Sequence, residues 1–523
     1  MSIDIRLAAP VVVAWVTVGI LLSMPRMLPG ASVVLWVVAV LFLSVVIAVR
    51  RRGRTVLAGV VVALVATALL VSVAAARAPH RQPIAMLEAA NAGRFVTATA
   101  MVTQTVHKAA HETALAMGTT ARQAIFSATL SSVRMGGSTT AVDIPVTVFA
   151  DRPAVTIGIG ATVSLAGTLS ATDPSDAVAF RMFADHGARV ESVAPWYLDW
   201  ANGLRSRFRD AAGELPGDGG DLLPGLAIGD TSDVGLPLDA AMKATSLSHL
   251  TAVSGANCAV VIALVMLVGA ALGLPRAWRI ALSVAVLLGF VVLVTPEPSV
   301  LRAAVMATLV LAAIAGGRPV RGVPVLALAS LVLLTNDPWL SRSYGFILSV
   351  LATGGLLVLS GPLTRVLSRS MPLWLAAVLS IPLAAQLACQ PVLILLNPSI
   401  PTYGVFANVL AEPAAPIATV LGLIACVVLP ILPAVGQVIA GLAWLPAAWI
   451  AAVATFFAGL PGAAIPWTQG AVGVTSVAVI TTLLLMVLLV QRGRSVRRFA
   501  SLALALAYRR GAAFSASGLL QAS

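Results

Sequence analysis

Few side chains in this sequence could do chemistry, and almost all of them sit within or beside apolar runs. They are His249, Ser254 and Asn257 around Ser254-Gly255, Arg302 near the start of its run, the pair Gln386 and Gln390, and Asn408 with Glu412. In hydrocarbon a charged or strongly polar group is costly, so each is a candidate for function by default. Gln386 and Gln390 are four apart and share one helix face; they could line a path or hydrogen-bond between helices, a contact worth roughly 0.6 kcal/mol. Arg302 could offer paired donors to a phosphate or snorkel to the surface. Glu412 precedes Pro413 and Pro416. A helix broken there would free backbone groups and make a polar gap; alternatively the carboxyl pairs with Arg302 or stays neutral. His249, Ser254 and Asn257 fit either a polar lining or a capped helix start. Cys258, Cys389 and Cys426 lie in apolar runs without a zinc-ligand neighbour, so neither a disulfide framework nor a metal site is expected.

The elements that must position these residues are membrane spans. Of 523 residues, 59% are hydrophobic and only 10% charged, against about a quarter charged in soluble domains. Apolar runs cover 8–24, 32–49, 56–76, 256–274, 277–294, 300–316, 323–334, 346–360, 373–396, 405–432, 435–458 and 473–490. That is about twelve spans, each near the length hydrocarbon requires, with 323–334 short. The first follows Arg6 without an evident small-residue cleavage site, and is read as a retained span. Charge supports the count. Arg50, Arg51, Arg52 and Arg54 fall in one loop, and counting onward places Arg276 and Arg279, Arg318 and Arg321, Arg365 and Arg369, and the tail arginines on that same side. The positive-inside rule makes it cytoplasmic. Much of the net charge of +13 has this origin.

A polar region, 77–221, interrupts the spans. Segments 95–104, 124–132, 142–150 and 161–171 alternate apolar and polar residues between turn signals, as strands do. About five strands suit a small OB-type barrel. Such barrels bind single strands with basic grooves and aromatic stacking. Here six bases between 94 and 190 are cancelled by six acids, and no Trp or Tyr occurs, which argues against that role. His107 and His111 lie in this β region, where their spacing does not put them on one helix face. Next, 195–214 reads as an interfacial helix. Trp196, Tyr197, Trp200, Leu204 and Phe208 can share its apolar face while Arg205, Arg207 and Arg209 snorkel. Residues 238–250 suit a helix lying in or dipping into the membrane, followed by a bend at Ser254-Gly255 and a spanning helix.

At these residues the sequence resembles a known family. His249-Leu-Thr-Ala-Val-Ser254-Gly255-Ala-Asn257 is similar to the HLLAVSG segment of ComEC-type competence proteins. Leu223-Pro-Gly225-Leu-Ala-Ile-Gly229-Asp230 resembles the glycine-rich GD entry to that region. Pro298-Ser299-Val-Leu-Arg302-Ala303-Ala-Val-Met306 resembles PSxxRAxxM. Asp337-Pro338 followed by Tyr344-Gly345-Phe346-Ile-Leu348-Ser349 resembles DP…GFxLS, with Tyr344 and Ile347 where many relatives have Pro and Gln. Gln386…Pro391 and Asn408…Pro413 resemble the QxxxxP and NxxxxP elements that follow. All keep the family's order across 222–490. The β region and first spans resemble the family's N-terminal domain more weakly.

The resemblance implies a polytopic α-helical membrane protein with an inserted extracytoplasmic OB-like β domain. Its parts would be membrane helices in 1–77, the β domain in 78–194, the interfacial helix and linker in 195–221, a channel domain in 222–491 and a basic tail in 492–523. It further implies a non-enzymatic inner-membrane channel for single-stranded DNA, with both termini cytoplasmic. Many relatives add a metallo-β-lactamase-like domain; this chain stops soon after its last span, so that domain's nuclease is not expected. No cofactor or metal is implied. Each phosphate entering against the membrane potential costs about 2.3 kcal/mol per 100 mV. The only lysines, Lys108 and Lys243, end no phosphate-binding loop. A separate cytoplasmic ATP-driven translocase or helicase is therefore expected, with an extracytoplasmic DNA-binding or nuclease partner. The residues alone leave two rivals open: a secondary transporter coupled through Glu412, and an intramembrane hydrolase using His249 and Ser254.

Overall fold

The computed structural model describes residues 6–48, 54–105, 107–108, 123–135, 137–151, 157–185, 187–251, 255–294 and 297–486. Ser254, His111, His186, the arginines at 50–52 and the 492–523 tail lie outside the described residues. The chain forms two compact units. One comprises Met1–Thr353 and Pro401–Ala464, the other Gly354–Ile400 and Ile465–Ser523.

Among the described residues, all twelve apolar runs fold as helices. In the first unit these begin with α1 (Ala8–Leu21), α2 (Leu28–Ala48) and α3 (Arg54–Arg81). A short α4 (Ile84–Asn91) leads into the sheet domain. After the sheet come α5 (Trp196–Gly213), α6 (Gly217–Ile228) and α7 (Leu236–Ala244), then α8 (Gly255–Ala271), α9 (Arg276–Leu293), α10 (Pro298–Ala315), α11 (Gly322–Asn336) and α12 (Tyr344–Leu367). Next is α13 (Leu373–Leu396), which belongs to the second unit. The first unit resumes with α14 (Gly404–Ala411), α15 (Ala415–Val428) and α16 (Pro433–Ala458). The last described helix is α17 (Gly470–Met486), in the second unit. Among the described residues seven helices are long and apolar enough to cross a membrane, or eight if α14 and α15 are one span bent by 45°. The protein is thus a polytopic helical membrane protein. The break between α14 and α15 falls at Glu412-Pro413-Ala414, where the paired prolines predict it.

The sheet domain follows from alternation. Strands β1 (Phe95–Val102), β3 (Gln123–Met135), β4 (Ser138–Asp151) and β5 (Thr162–Ala171) lie where the pattern puts them. Every second residue of β1 is buried, from Val96 to Val102, as one-sided packing requires. The short β2 (His107–Lys108), β6 (Phe180–Ala184) and β7 (Arg189–Ser192) were not predicted, being too brief to show a period. β1 pairs with both β3 and β5, β3 with β4, β4 in parallel with β6, and β6 with β5. Pairing therefore runs from β1 round through β3, β4, β6 and β5 back to β1. At Gly167 the β6 backbone comes so close that a Cβ would strike the Phe183 carbonyl. Phe126, Leu130, Ile144, Leu165, Phe180 and Met182 fill the core, and α4 adds Met86 and Ala89.

The structure corrects the reading of α5. Leu204 and Phe208 do not face lipid; both are buried in protein, packed with α6, α15 and α16 in one hydrophobic cluster. Arg205 does not snorkel but is buried. Of the residues assigned to its apolar face, Trp196, Tyr197 and Trp200 remain exposed, and Arg207 is exposed as expected. The helix α6 was missed because Gly217-Asp-Gly-Gly-Asp and Pro224 read as loop. It lies at the centre of the unit, with Leu222, Leu223, Leu226, Ala227 and Ile228 fully buried. Glycines admit it: a Cβ at Gly422 on α15 would come within 2.6 Å of the Ala227 side chain.

Candidate functional site

Within the first unit, Ser349 and the start of α8 meet at Arg302. It stands one turn into α10 and is only 5% exposed. Its Nε donates to Ser349 Oγ on α12 at 2.9 Å, and Nη1 reaches Met306 Sδ at 3.0 Å. Nη2 faces the start of α8, 3.0 Å from where a Cβ on Gly255 would stand. One guanidinium thus joins the segments around Gly255, Arg302-Met306 and Ser349. Among the described residues no carboxylate forms an ion pair with it, so the expected alternative pairing with Glu412 is not made. The amino end of a helix carries partial positive charge, so α8 does not neutralise the guanidinium either. Its hydrogen-bond partners are neutral, which leaves this corner of the unit electropositive and suited to an anion.

The other predicted residues of this unit take distinct places. Asn257 is buried in the first turn of α8. His249 lies in a short 3-10 turn, with Nδ1 3.0 Å from the Ser246 carbonyl. The helix α7 ends at the left-handed Ser246 (φ 58°) and this turn follows it; the bend expected at Ser254-Gly255 falls at 252–254, outside the described residues. Ser299 lies in the first turn of α10. Glu297 precedes it; burial holds its carboxyl above the usual range, while a hydrogen bond with Ser299 works the other way. Gly345 opens α12, and Phe346 is fully buried against Trp15 of α1, with ring centroids 5.0 Å apart.

Asn408 is buried on α14. Its Nδ2 donates to Gly404 O at 2.7 Å, and its Oδ1 has no hydrogen-bond partner among the described residues. Glu412 and Pro413 form the break after α14. Gln386, Gln390 and Pro391 lie on α13 in the other unit. There Gln390 Nε2 donates to Ser399 O at 3.3 Å, and its Oε1 is buried without a partner among the described residues.

Gly229 and Asp230 prove to be architectural. Gly229 ends α6 in the left-handed conformation (φ 78°), the usual glycine C-terminal stop. Asp230, 3% exposed, accepts from Arg209 Nη1 at 3.2 Å and from the Ser232 amide at 3.1 Å.

Sequence reasoning missed the residues that tie the sheet domain to the helices. Arg205 donates through Nε to Leu293 O at 2.9 Å and through Nη2 to Val292 O at 2.6 Å, capping the end of α9. Burial brings its guanidinium down to about 10, with Asp230 opposing, so it stays charged at neutral pH. Its Nη1 donates to Asn202 Oδ1 at 2.6 Å, and Asn202 Nδ2 donates to Ile159 O of the sheet domain at 2.9 Å. A second attachment lies at the end of α3. Arg81 donates to Asp176 O and Ala177 O, and its guanidinium stacks 4.1 Å above the Trp339 ring. Trp339 Nε1 donates to Pro174 O at 2.9 Å, and Gln82 Nε2 donates to Thr172 O and Ala179 O, each at 3.0 Å. The Asp337-Pro338 segment holds Trp339 for this contact, since Asp337 Oδ1 accepts from the Trp339 amide. One signal was available: Arg205 falls on the buried stripe of α5 formed by Ala201, Leu204, Phe208 and Ala212.

Fold and site together define a polytopic helical membrane protein with a β-sheet domain bound to its helices and a buried cationic node among them. The model of one protein family, described as Competence protein, matches residues 226–493, just over half of the chain. The chain belongs to this family, and the membership supports a role in DNA uptake for competence. No curated protein and no solved structure matches the chain.

Proposed function

We propose that this protein passes single-stranded DNA across the inner membrane into the cytoplasm. The observation that carries the reading is Arg302: a buried cation held by neutral partners at the amino end of α8, in a member of the competence family. A polyanion is the ligand that such a node favours. His249, Ser254, Gly255, Asn257, Arg302, Asn408 and Glu412 would line the route, and Gln386 and Gln390 are the corresponding candidates on α13. On this reading all twelve apolar runs cross the bilayer, the termini are cytoplasmic and the sheet domain lies outside. The ring of strand pairings fits a five-stranded OB-type barrel. Transport is drawn by a separate ATP-driven translocase or helicase, because phosphates do not move inward against the membrane potential unaided. An extracytoplasmic DNA-binding or nuclease partner delivers the strand, and the channel itself performs no bond chemistry.

A second reading rests on the broken helix. Glu412 stands at a 45° bend beside the orphaned Asn408 Oδ1, an arrangement that suits a small-solute carrier. The experiment that separates them is a deletion strain scored for labelled DNA reaching the cytoplasm. Complementation with wild type restores uptake, Arg302→Ala reduces it at least about 100-fold, an effect on the order of 3 kcal/mol, and Arg302→Lys falls between. Uptake that is normal without the protein removes the DNA reading. Solute uptake lost in Glu412→Gln with DNA uptake intact establishes the carrier.

A further inference from the structure

We infer that the break between α14 and α15 binds a monovalent alkali cation between the side chains of Asn408 and Glu412. The Glu412 amide donates to Asn408 O at 2.8 Å, and Glu412 keeps right-handed helical angles (φ −55°, ψ −39°). The two residues are therefore one turn apart on one helix face, with Cβ atoms about 5–6 Å apart. Side chains on a helix lean toward its amino end, so the Glu412 carboxyl leans over Asn408. Asn408 is only 6% exposed. Its amide nitrogen is committed to Gly404 O at 2.7 Å, which turns the amide oxygen the other way. That buried Oδ1 has no hydrogen-bond partner, and Glu412 forms no ion pair, among the described residues.

The backbone adds oxygens at the same turn. Pro413 and Pro416 have no N–H, so neither Val409 O nor Glu412 O receives its usual helical bond. The two carbonyls between them are served. Leu410 O accepts from Trp449 Nε1 at 2.9 Å, and Ala411 O accepts from the Ala414 amide at 3.1 Å. What remains is a group of acceptors without donors, at the carboxyl end of a half-helix, where the partial charge is negative. In broken membrane helices such ends and their unwound carbonyls coordinate cations. One carboxylate among neutral oxygens balances one positive charge, whereas calcium draws on about 6–8 oxygens and commonly several carboxylates. A proton satisfies a single acceptor; an alkali ion satisfies several at once. The ion and the carboxylate are neutral together, in surroundings where a lone charge is costly. The site does not depend on what the protein transports. On the DNA reading it has an added consequence, because an uncovered carboxylate beside the route repels phosphates.

The test uses the purified full chain in detergent, melted at constant ionic strength in sodium chloride, potassium chloride or choline chloride. Sodium or potassium should raise the melting temperature of the wild type saturably above its value in choline, since an ion that binds only the folded state stabilises it. Asn408→Ala and Glu412→Gln should each lose that rise. Glu412→Asp keeps the carboxylate and should retain a smaller rise, which keeps the test decisive where Glu412→Gln does not fold. Thr419→Val removes a buried hydroxyl that donates to Leu226 O elsewhere on α15; it should melt lower in every salt and keep the full rise. No rise in the wild type with either metal, or a rise that survives both Asn408→Ala and Glu412→Gln, overturns the site. So does a melting temperature raised by acid but blind to the metals, the mark of a proton on Glu412. If the rise is present but a strain lacking the protein takes up DNA normally, the cation site stands and the DNA reading falls; DNA uptake that requires the protein, with no metal response, means the reverse.

Discussion

The guanidinium of Arg302 is held where its charge has no local opponent. Breaking a buried charge away from its hydrogen bonds costs several kcal/mol, so Ser349 and Met306 fix the side chain without cancelling it. Nearby, Glu297 is a carboxyl whose folded value is raised by burial. A raised carboxyl disfavours the fold once ionised. Stability should therefore be highest below the ordinary value of 4.5 and decline as the pH climbs through the elevated folded value. Glu297→Gln removes that decline. The melting temperatures of variant and wild type, taken in detergent across this range, should diverge steadily as pH rises and run parallel if the carboxyl does not sense burial. At this scale the sequence located the polar groups set among the helices and was poor on what they contact. Scarcity in apolar runs singled out Arg302, Asn408 and Glu412, but Arg205 looked like a surface cation because its acceptors are carbonyls 87 and 88 positions away.

Among the elements, α6 shows why composition alone misleads. Its glycines and Pro224 lower helix propensity, yet they allow α15 and α16 to come close enough to bury it from Leu222 to Ile228. Tertiary contact outweighs local preference there. The long spans were legible because hydrophobic length is a strong signal, and the four main strands because their alternation extends over eight or more residues. The two five- and four-residue strands, β6 and β7, offered no such pattern. The packing of α15 on α6 gives a direct check. A Val at Gly422 must displace Ala227 and the Phe208 ring, an overpacking that should cost about 1–3 kcal/mol. Thermal or denaturant unfolding in detergent should show Gly422→Val destabilised more than Gly422→Ala. Equal stability of the two variants with wild type would mean that the helices are not in contact.

For the whole molecule, sidedness is the claim with most to lose. A periplasmic-active reporter inserted at Gly137, a hairpin tip with φ 91°, should be active only if the sheet domain is outside, and a cytoplasm-active reporter there should be silent. The reverse pattern would invert the topology and place the arginine loops on the wrong face of the positive-inside rule. The two attachments of the sheet domain also bear on how such a molecule can diversify. Arg81, Gln82, Arg205 and Trp339 all grip main-chain oxygens of their neighbours, as Asn202 does at Ile159. A carbonyl is offered by every residue type, so the 172–179 loop can drift in side chain without loosening its seat. The 159 turn is held more tightly, since a Cβ at Gly158 would strike Asn202 and one at Gly160 would strike Leu198. A sheet domain transplanted from a distant cousin, matched in those two turns, should dock on these helices as the native one does.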